Sequence, residues 1–153
     1  INSIMDLFDQ ISEDIKAAMK ARDRVRLDTL RNIKKVFLEA KTAPGANDTL
    51  DDAKALKILQ KLAKQGKESA ETFNQANRKD LADGELAQVK VIEEYLPKPL
   101  SEEEITAKVK EIIAQTGASS MKEMGKVMGI ASKQMAGRAE GGTISAIVKK
   151  LLA

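Results

Sequence analysis

The segment Glu94-Tyr95-Leu96-Pro97-Lys98-Pro99-Leu100-Ser101-Glu102-Glu103-Glu104 marks a place where one helix must stop and another begin. Pro97 and Pro99 lack the amide proton of a helical residue, and each disfavours helical geometry in the residue before it. Ser101 and Glu104 have the spacing of a capping box, in which each side chain accepts a hydrogen bond from the other's backbone amide. The segment therefore predicts two helical domains, 5–96 and 100–153, joined by a hinge at Leu96-Pro97-Lys98-Pro99.

The residues before this segment have the apolar spacing of helices. Hydrophobic side chains recur every three or four positions through 5–96, and no stretch has the pattern of a strand. A break at Arg22-Asp23, with Asp23 as the cap of the second helix, and a turn-forming loop over 42–47 divide the first half of this region. The expected fold class is all-α, with about four helices in the N-terminal domain.

Two further helices complete this domain in the prediction. The third is expected over 50–77 with Thr49 as its cap, and Gly66 predicts tight packing or a bend because glycine weakens a helix. Asp80 is expected to cap the fourth helix. The predicted inner face of that helix consists of apolar residues at helical spacing: Leu81, Leu86, Val89, Ile92 and Leu96.

The residues after the hinge predict a smaller domain of about three helices. The first begins at the capping box and ends at Gly117, and a second capping box formed by Ser120 and Glu123 is expected to start the next. A glycine-rich connection over 137–142 then leads to a last helix. This domain supplies the C-terminal part of the all-α fold.

The composition excludes most catalytic chemistry. The 153 residues contain no cysteine and no histidine, so thiolate nucleophiles, cysteine-ligated zinc and histidine general bases are absent. Tryptophan is also absent and aromatic residues make up only 3%, which argues against a surface that stacks several bases. We expect no cofactor, no metal and no independent enzymatic activity.

The hydropathy pattern and the first residues indicate where in the cell the protein is expected. No apolar run approaches the roughly 18 residues that span a bilayer, so no membrane association is expected. The start of the chain lacks the basic and apolar stretches of a secretory signal, and Met5 is the expected native start. These observations predict a cytoplasmic protein.

Basic residues are concentrated in the second predicted helix. Residues 16–41 hold nine basic side chains against three acidic ones, although the net charge of the whole chain is only +3. At about 100° per residue, Arg24, Arg31 and Lys35 fall within one narrow arc. Such a row suits contacts with nucleic-acid phosphates, and the alternative is an ordinary solvated helix face.

A second group of cations lies in the C-terminal domain. Lys122, Lys126 and Lys133 share one face if a single helix continues through Gly129. Arg138 adds a rigid donor fork on the glycine-rich connection, where exposed backbone amides also suit an anion. The alternative is that the glycines only let the chain turn between two helices.

Two other features have simple structural explanations. Met121, Met124 and Met128 are typical of either an adaptable binding surface or core packing. The acidic run over 102–104 suits the positive end of a helix dipole, so it does not predict a metal site.

Four short motifs together resemble those of the YqeY-like proteins: Leu27-Asp28-Thr29-Leu30-Arg31, Glu94-Tyr95-Leu96-Pro97, Met124-Gly125-Lys126-Val127-Met128-Gly129 and Gly137-Arg138-Ala139-Glu140-Gly141. The resemblance extends from about Met5 to the C-terminus. That family is related to the tail domain of the B subunit of the glutamine-dependent aspartyl/glutamyl-tRNA amidotransferase. Gly66 and Gln88 depart from the usual family pattern, so no role that needs a charge at either position is carried over.

The resemblance implies a larger N-terminal and a smaller C-terminal helical domain, and a role connected with tRNA. The related tail helps to hold tRNA, while the amidation chemistry of that enzyme occurs on other domains. The favoured hypothesis is a non-catalytic module that binds tRNA or another structured RNA through two basic groups whose spacing the hinge sets. The proposed contacts are Arg24, Arg31, Lys35, Lys122, Lys126 and Arg138.

Two alternatives remain. One is a helical adaptor that binds another protein, such as an amidotransferase or a synthetase. The other follows from the resemblance only: a part of a carbon–nitrogen ligase that uses glutamine as its amido-N-donor.

Overall fold

The computed structural model describes residues 5–153, and whatever precedes Met5 lies outside the described residues. This part of the chain contains seven α-helices and no strand, which confirms the all-α prediction. The helices are α1 (Leu7–Ala21), α2 (Arg24–Lys41), α3 (Asp52–Gln75), α4 (Lys79–Glu93), α5 (Glu102–Thr116), α6 (Met124–Gln134) and α7 (Gly141–Leu152). The chain divides into two compact units between Leu96 and Pro97, with α1 to α4 in the first and α5 to α7 in the second.

The turn between α1 and α2 follows the prediction. Arg22 ends α1 in the left-handed conformation, with φ of 55°. The carboxylate of Asp23 then accepts a 3.1 Å hydrogen bond from the amide of Arg26 and caps α2. One residue of left-handed backbone and one acidic cap are enough to reverse the chain.

The core of the first unit is contributed by all four of its helices. Its fully buried large side chains are Ile11, Leu30, Ile33, Phe37 and Leu59. Val89 and Ile92 bring α4 into the same cluster. Because each helix turns one apolar face inward, its charged residues remain on the outside.

Gly66 is a point of close contact between α3 and α4. A β-carbon placed on Gly66 would lie under 3.0 Å from Cγ2 of Val89, closer than real β-carbons approach a neighbouring atom. The helix continues through this position. Tight packing, one of the two predicted roles of this glycine, is therefore confirmed.

The predicted start of α3 is wrong by two residues. The hydroxyl of Thr49 donates to the carbonyl of Ala46 at 2.6 Å, so it closes a local turn and caps no helix. Asp51 is the cap, and its carboxylate accepts a 2.8 Å hydrogen bond from the amide of Lys54. Asp51 prevails because a carboxylate one residue before the first turn can reach the free amides.

The predicted start of α4 is also wrong, and its predicted inner face is correct for Val89, Ile92 and Leu96 but wrong for two leucines. Asp80 lies inside the helix and forms two hydrogen bonds with the Arg78 guanidinium, at 3.0 and 3.1 Å, so it is not the cap. Leu81 and Leu86 are 40% and 43% exposed. The small side chain of Ala82 is buried where a leucine was expected, because the inner face is set by close packing against neighbouring helices and not by hydrophobicity alone.

The second unit begins with the predicted capping box. The amide of Glu104 donates to Oγ of Ser101, and the amide of Ser101 donates to Oε1 of Glu104, both at 3.1 Å. Gly117 ends α5 with φ of 72°, a conformation that glycine adopts without strain. Both predicted ends of this helix are confirmed.

Other predictions for the second unit are wrong. Ser120 makes no capping hydrogen bond, and Glu123 instead accepts a 3.2 Å bond from the amide of Ser119. A short 3-10 turn, Met121–Glu123, therefore precedes α6. Gly141 and Gly142 belong to the first turn of α7, so the connection ends at Glu140 and is shorter than predicted.

The residues around the prolines divide clearly between the two cores. Leu96 packs against the core of the first unit, and Leu100 belongs to the core of the second. Pro97, Lys98 and Pro99 between them are exposed and non-helical. The free linker is thus three residues long.

Candidate nucleic-acid interface

A concavity of the first unit with mainly basic lining lies along α2. It has a volume of about 440 Å³ and is lined by Arg31, Lys34, Lys35, Leu38, Glu39 and Thr42. Arg31 and Lys35 are exposed, and within residues 5–153 neither has an acidic partner within 4 Å. We call this concavity the α2 groove. It offers an excess of positive charge, with three cations and one acid, Glu39, beside the 43% exposed side chain of Leu38.

The side of α2 next to α1 uses its lysines differently. The ammonium groups of Lys34 and Lys41 lie 5.8 and 4.3 Å from the centre of the Phe8 ring. Such cation–π contacts hold the lysines and cover the aromatic face. Phe8 is therefore not a platform on which a base can stack.

Arg24, at the start of the predicted row, is highly accessible. Its side chain is 86% exposed, and its Nε lies 3.4 Å from Oδ2 of Asp28 one turn later. Exposed pairs of this kind are weak, typically well under about 1 kcal/mol. Arg24 can exchange this partner for a phosphate at little cost.

Arg26, which the prediction did not use, binds to the end of α4. Its Nη2 donates a 2.6 Å hydrogen bond to Oε2 of Glu94, and this bond raises the pKa of Arg26 above its usual value. Beside it, the hydroxyl of Tyr95 donates to Oδ2 of Asp14 on α1 at 2.5 Å. Burial, followed by the hydrogen bond to Asp14, raises the pKa of Tyr95. The Glu94-Tyr95 part of the hinge motif thus ties the end of α4 to α1 and α2.

In the second unit, α6 carries exposed lysines. The helix runs unbroken through Gly129, so Lys126 and Lys133, seven residues apart, lie on one face. Lys122 is exposed in the preceding 3-10 turn and departs from the α-helical spacing. The predicted alignment therefore holds for Lys126 with Lys133, and Lys122 flanks it.

Arg138 differs from these lysines because it is partly buried. Its carbonyl accepts a 2.7 Å hydrogen bond from the amide of Leu100, and its Nε is buried without a partner among the described residues. Its charge also contributes to a lowered pKa of Glu104, after the hydrogen bonds from Ser101. Arg138 thus faces the start of α5 and is less free for an outside ligand than Lys122 or Lys126.

The most regular row of cations lies on α3 and escaped the sequence prediction. Lys54, Lys57, Lys61 and Lys64 are all exposed, and no acidic residue occurs from position 53 to 67. We call these four residues the α3 lysine row. The balanced total charge of the N-terminal region hid them, although their spacing of three and four residues was visible in the sequence.

Metal-binding carboxylate clusters and membrane-spanning helices are absent from the residues that the structure describes. Over 5–153, no group of three or more aspartate or glutamate residues is arranged to hold a metal ion. No helix in that range has the length and apolar character needed to cross a membrane. Of the three methionines considered for a binding surface, Met124 and Met128 pack against the second core and Met121 is 45% exposed.

The sequence matches a known family over nearly its whole length. The model of the family described as "Yqey-like protein" covers residues 8–152. The chain is similar to "Altered inheritance of mitochondria protein 41, mitochondrial" from Lachancea thermotolerans, with 32% identity over 77% of this chain and 64% of that protein. The protein of the same name from Kluyveromyces lactis is 31% identical over 67% of this chain and 56% of its own length. The one from Pyrenophora tritici-repentis is 29% identical over 85% and 71%.

These relatives correct the expected location. The prediction of a cytoplasmic protein is wrong, because the relatives are named as mitochondrial proteins. The prediction depended on the composition of the first residues. The chain spans about 64% and 56% of the first two relatives, so both have residues outside the matched region.

Proposed function

Since the chain belongs to the YqeY-like family, we propose that it is a non-catalytic module that binds tRNA or another structured RNA through phosphate contacts. The observation that carries the proposal is the α2 groove, where Arg31 and Lys35 are exposed and unpaired within the described residues. Lysine and arginine side chains gain affinity for RNA by displacing condensed counterions. The family's relation to a tRNA-holding domain supports the same conclusion.

The contacts differ in what they offer to RNA. Arg24, Arg31 and Lys35 form the first group, and Lys122 and Lys126 form the second. Arg138 is assigned a weaker contact because of its partial burial. With its four aromatic side chains buried or half-buried, the surface supports recognition by shape and backbone charge and not by base stacking.

Titration of the full chain with purified tRNA at two salt concentrations tests the proposal. Cytoplasmic and mitochondrial tRNA are both assayed, because the relatives are named as mitochondrial proteins. The triple variant R24Q/R31Q/K35Q should bind more weakly at low salt. The slope of log affinity against log salt should fall by about 0.9 for each duplex phosphate that the variant no longer neutralises.

A matched control keeps the change in net charge constant. Lys79, Lys90 and Lys149 are exposed and lie outside the proposed contacts. Their replacement by glutamine should leave the affinity close to that of the wild type. Equal reductions of affinity in the two triple variants, or no binding of tRNA by the wild type, would reject the proposal.

A protein adaptor is the second candidate function, favoured by the exposed side chains of Met121 and Leu38. Leu38 belongs to the first unit and Met121 to the second, and either exposed side chain suits contact with a partner helix. An amidotransferase or synthetase captured from nuclease-treated extract, but not captured by M121K/L38K, would favour this function over RNA binding. Participation in a carbon–nitrogen ligase would instead require glutamine-dependent amide formation when the chain is added to such a complex.

A further inference from the structure

We infer that the α3 lysine row is a separate binding surface for the sugar–phosphate backbone of double-helical RNA. The inference rests on the proposed function and adds both a site and the form of RNA recognised. At about 100° and 1.5 Å per residue, Lys54, Lys57, Lys61 and Lys64 lie within about 80° of arc and span about 15 Å. Four cations thus follow one edge of a straight helix.

The four lysines of the row form no salt bridge with the residues that the structure describes, since none of them has an acidic oxygen within 4 Å there. Lys67, the next lysine along the helix, differs because its Nζ lies 3.0 Å from Oε2 of Glu93 on α4. The helix therefore has a paired lysine on the side that meets α4 and unpaired lysines elsewhere.

The opposite face of α3 holds the row in place. Ala55, Leu59 and Ala63 are buried against the first core, and Gly66 contacts Val89 of α4. The backbone beneath the lysines is consequently fixed before any ligand binds. Only the side chains lose freedom on binding, which keeps the entropic cost low.

The absence of stacking side chains favours double-helical over single-stranded RNA. Phe37 is buried, the Phe8 ring is covered by lysines, and Phe73 and Tyr95 are half-buried. Proteins that bind single strands combine positive charge with aromatic platforms for the bases. Proteins that bind duplex RNA can use charge and shape alone.

An anionic membrane is a poorer match for this surface. Binding of an amphipathic helix to a bilayer needs apolar side chains that enter the acyl boundary. Of the large apolar residues that are strongly exposed in the described part of the chain, none belongs to α3. The row supplies charge without an apolar anchor.

The test compares the full-length wild type with the variant K54Q/K57Q/K61Q/K64Q. The probes are an RNA duplex, a single strand of equal length, and vesicles of anionic phospholipid. For the duplex, the variant should lower the salt slope by about 3 to 4, at about 0.9 per phosphate contact. Between 50 and 200 mM salt, the affinity of the variant should then change about a hundredfold less than that of the wild type.

Two controls separate a specific contact from a general change in charge or folding. K79Q/K90Q/K149Q/K150Q removes the same charge from exposed lysines elsewhere and should keep a slope within about one unit of the wild type. Helix content, measured by circular dichroism, should be the same in all variants because lysine and glutamine have similar helix propensities.

The outcomes distinguish this inference from the proposed function. If the wild type binds neither purified tRNA nor the two RNA probes, the proposed function and the inference both fall. If it binds tRNA but not the duplex, only the inference falls. If the wild type binds the duplex and the α3 variant keeps its affinity and slope, only the inference falls. Tighter binding to the single strand, or an α3-dependent binding to vesicles that exceeds binding to duplex, would also overturn it.

Discussion

The hydroxyl of Tyr95 donates a hydrogen bond of 2.5 Å to Oδ2 of Asp14, a residue 81 positions earlier in the chain. The same carboxylate accepts a 3.0 Å bond from the side-chain amide of Gln10 through its other oxygen. Arg26 and Glu94 pair next to it at 2.6 Å. The last turn after α4 is thus held to α1 and α2 by two polar contacts beside the linker.

Removing the Tyr95 hydroxyl should destabilise the first unit. Y95F keeps the ring and removes the donor to Asp14, and a hydrogen bond to a charged group contributes about 1.5–3 kcal/mol. Urea unfolding should show a lower midpoint. D14N should have a similar effect, and the double variant should cost less than the sum of the two. Additive effects would mean that the two groups do not interact.

The ionisation of Tyr95 should occur at unusually high pH. It is the only tyrosine of the chain, so its phenolate absorbance can be assigned without ambiguity. Burial, the hydrogen bond to Asp14 and the charge of Asp14 raise its pKa above the usual 10.0. A proton held more tightly in the folded state stabilises the fold fully below about pH 10, and this contribution is lost as pH rises further.

An alkaline titration in native buffer and in concentrated urea measures this difference. The native midpoint should exceed the midpoint in urea, and D14N should bring the two closer together. Coincident midpoints for the native and unfolded wild type would contradict the described environment of Tyr95.

Replacing Gly66 by alanine should destabilise the chain in spite of alanine's higher helix propensity. The new β-carbon would collide with Cγ2 of Val89, and overpacking typically costs about 1–3 kcal/mol against a propensity gain of about 1 kcal/mol. V89A removes the conflicting methyl group. G66A should therefore be neutral or stabilising in the V89A background, and equal changes of the urea midpoint in both backgrounds would disprove the contact.

The capping box of α5 should make stability depend on acid pH. S101A should cost about 1 kcal/mol because it removes the cap. Hydrogen bonds from Ser101 lower the pKa of Glu104 below its usual 4.5. Ionised Glu104 therefore stabilises the folded state fully above its unfolded pKa of 4.5, and this stabilisation is lost as pH falls through the lower pKa of the folded state. E104Q should therefore be less stable than the wild type at neutral pH and converge with it in acid. A constant difference across this range would exclude the ionised box.

Replacing both linker prolines by alanine should weaken RNA binding without reducing helicity. Pro97 and Pro99 restrict the backbone of a three-residue connection, and a looser linker lowers the effective concentration of the second group of cations once the first is bound. The measurement is tRNA affinity together with circular dichroism. A P97A/P99A variant that binds as well as the wild type would make the segment a plain connector.

Local signals in the sequence identified most of the fold. Asp23, Ser101 and Gly117 act where predicted because capping and left-handed backbone depend on a few neighbouring residues. The capping predictions for Thr49 and Asp80 were wrong. Asp51 caps α3 in place of Thr49, and the carboxylate of Asp80 binds Arg78 and does not cap α4. These competitions are decided by distances that the sequence does not contain.

Tertiary contacts decided the other errors in the fold. Leu81 and Leu86 were assigned to the core on hydrophobicity, but the position of α4 against its neighbours turns Ala82 inward. Ser120 is not a cap because the residues after it form a 3-10 turn, in which the backbone amides are spaced differently from those of an α-helix. In both cases the packing around the segment overrode its local preference.

The sequence predicted the positive charge of the candidate site, but it did not predict which cations are held by acidic residues. Arg31 and Lys35 are exposed in the α2 groove, whereas Arg26, two positions from Arg24, is held by Glu94 from a distant helix. Arg138 was expected to be free and is partly buried. The α3 lysine row was missed because acidic residues elsewhere in the N-terminal region balance its charge in a regional count.

A lysine-specific protease should cleave poorly after Lys98, between the two units. Lys98 is exposed and non-helical, which ordinarily favours nicking. Pro99, however, follows the bond that would be cut, and Pro97 precedes Lys98. Since proteases hold an extended substrate by its backbone amides, a linker with two prolines among its three residues is a poor substrate. Fragments that leave 97–99 intact would therefore reflect proline chemistry, and they would not indicate that the units form one body.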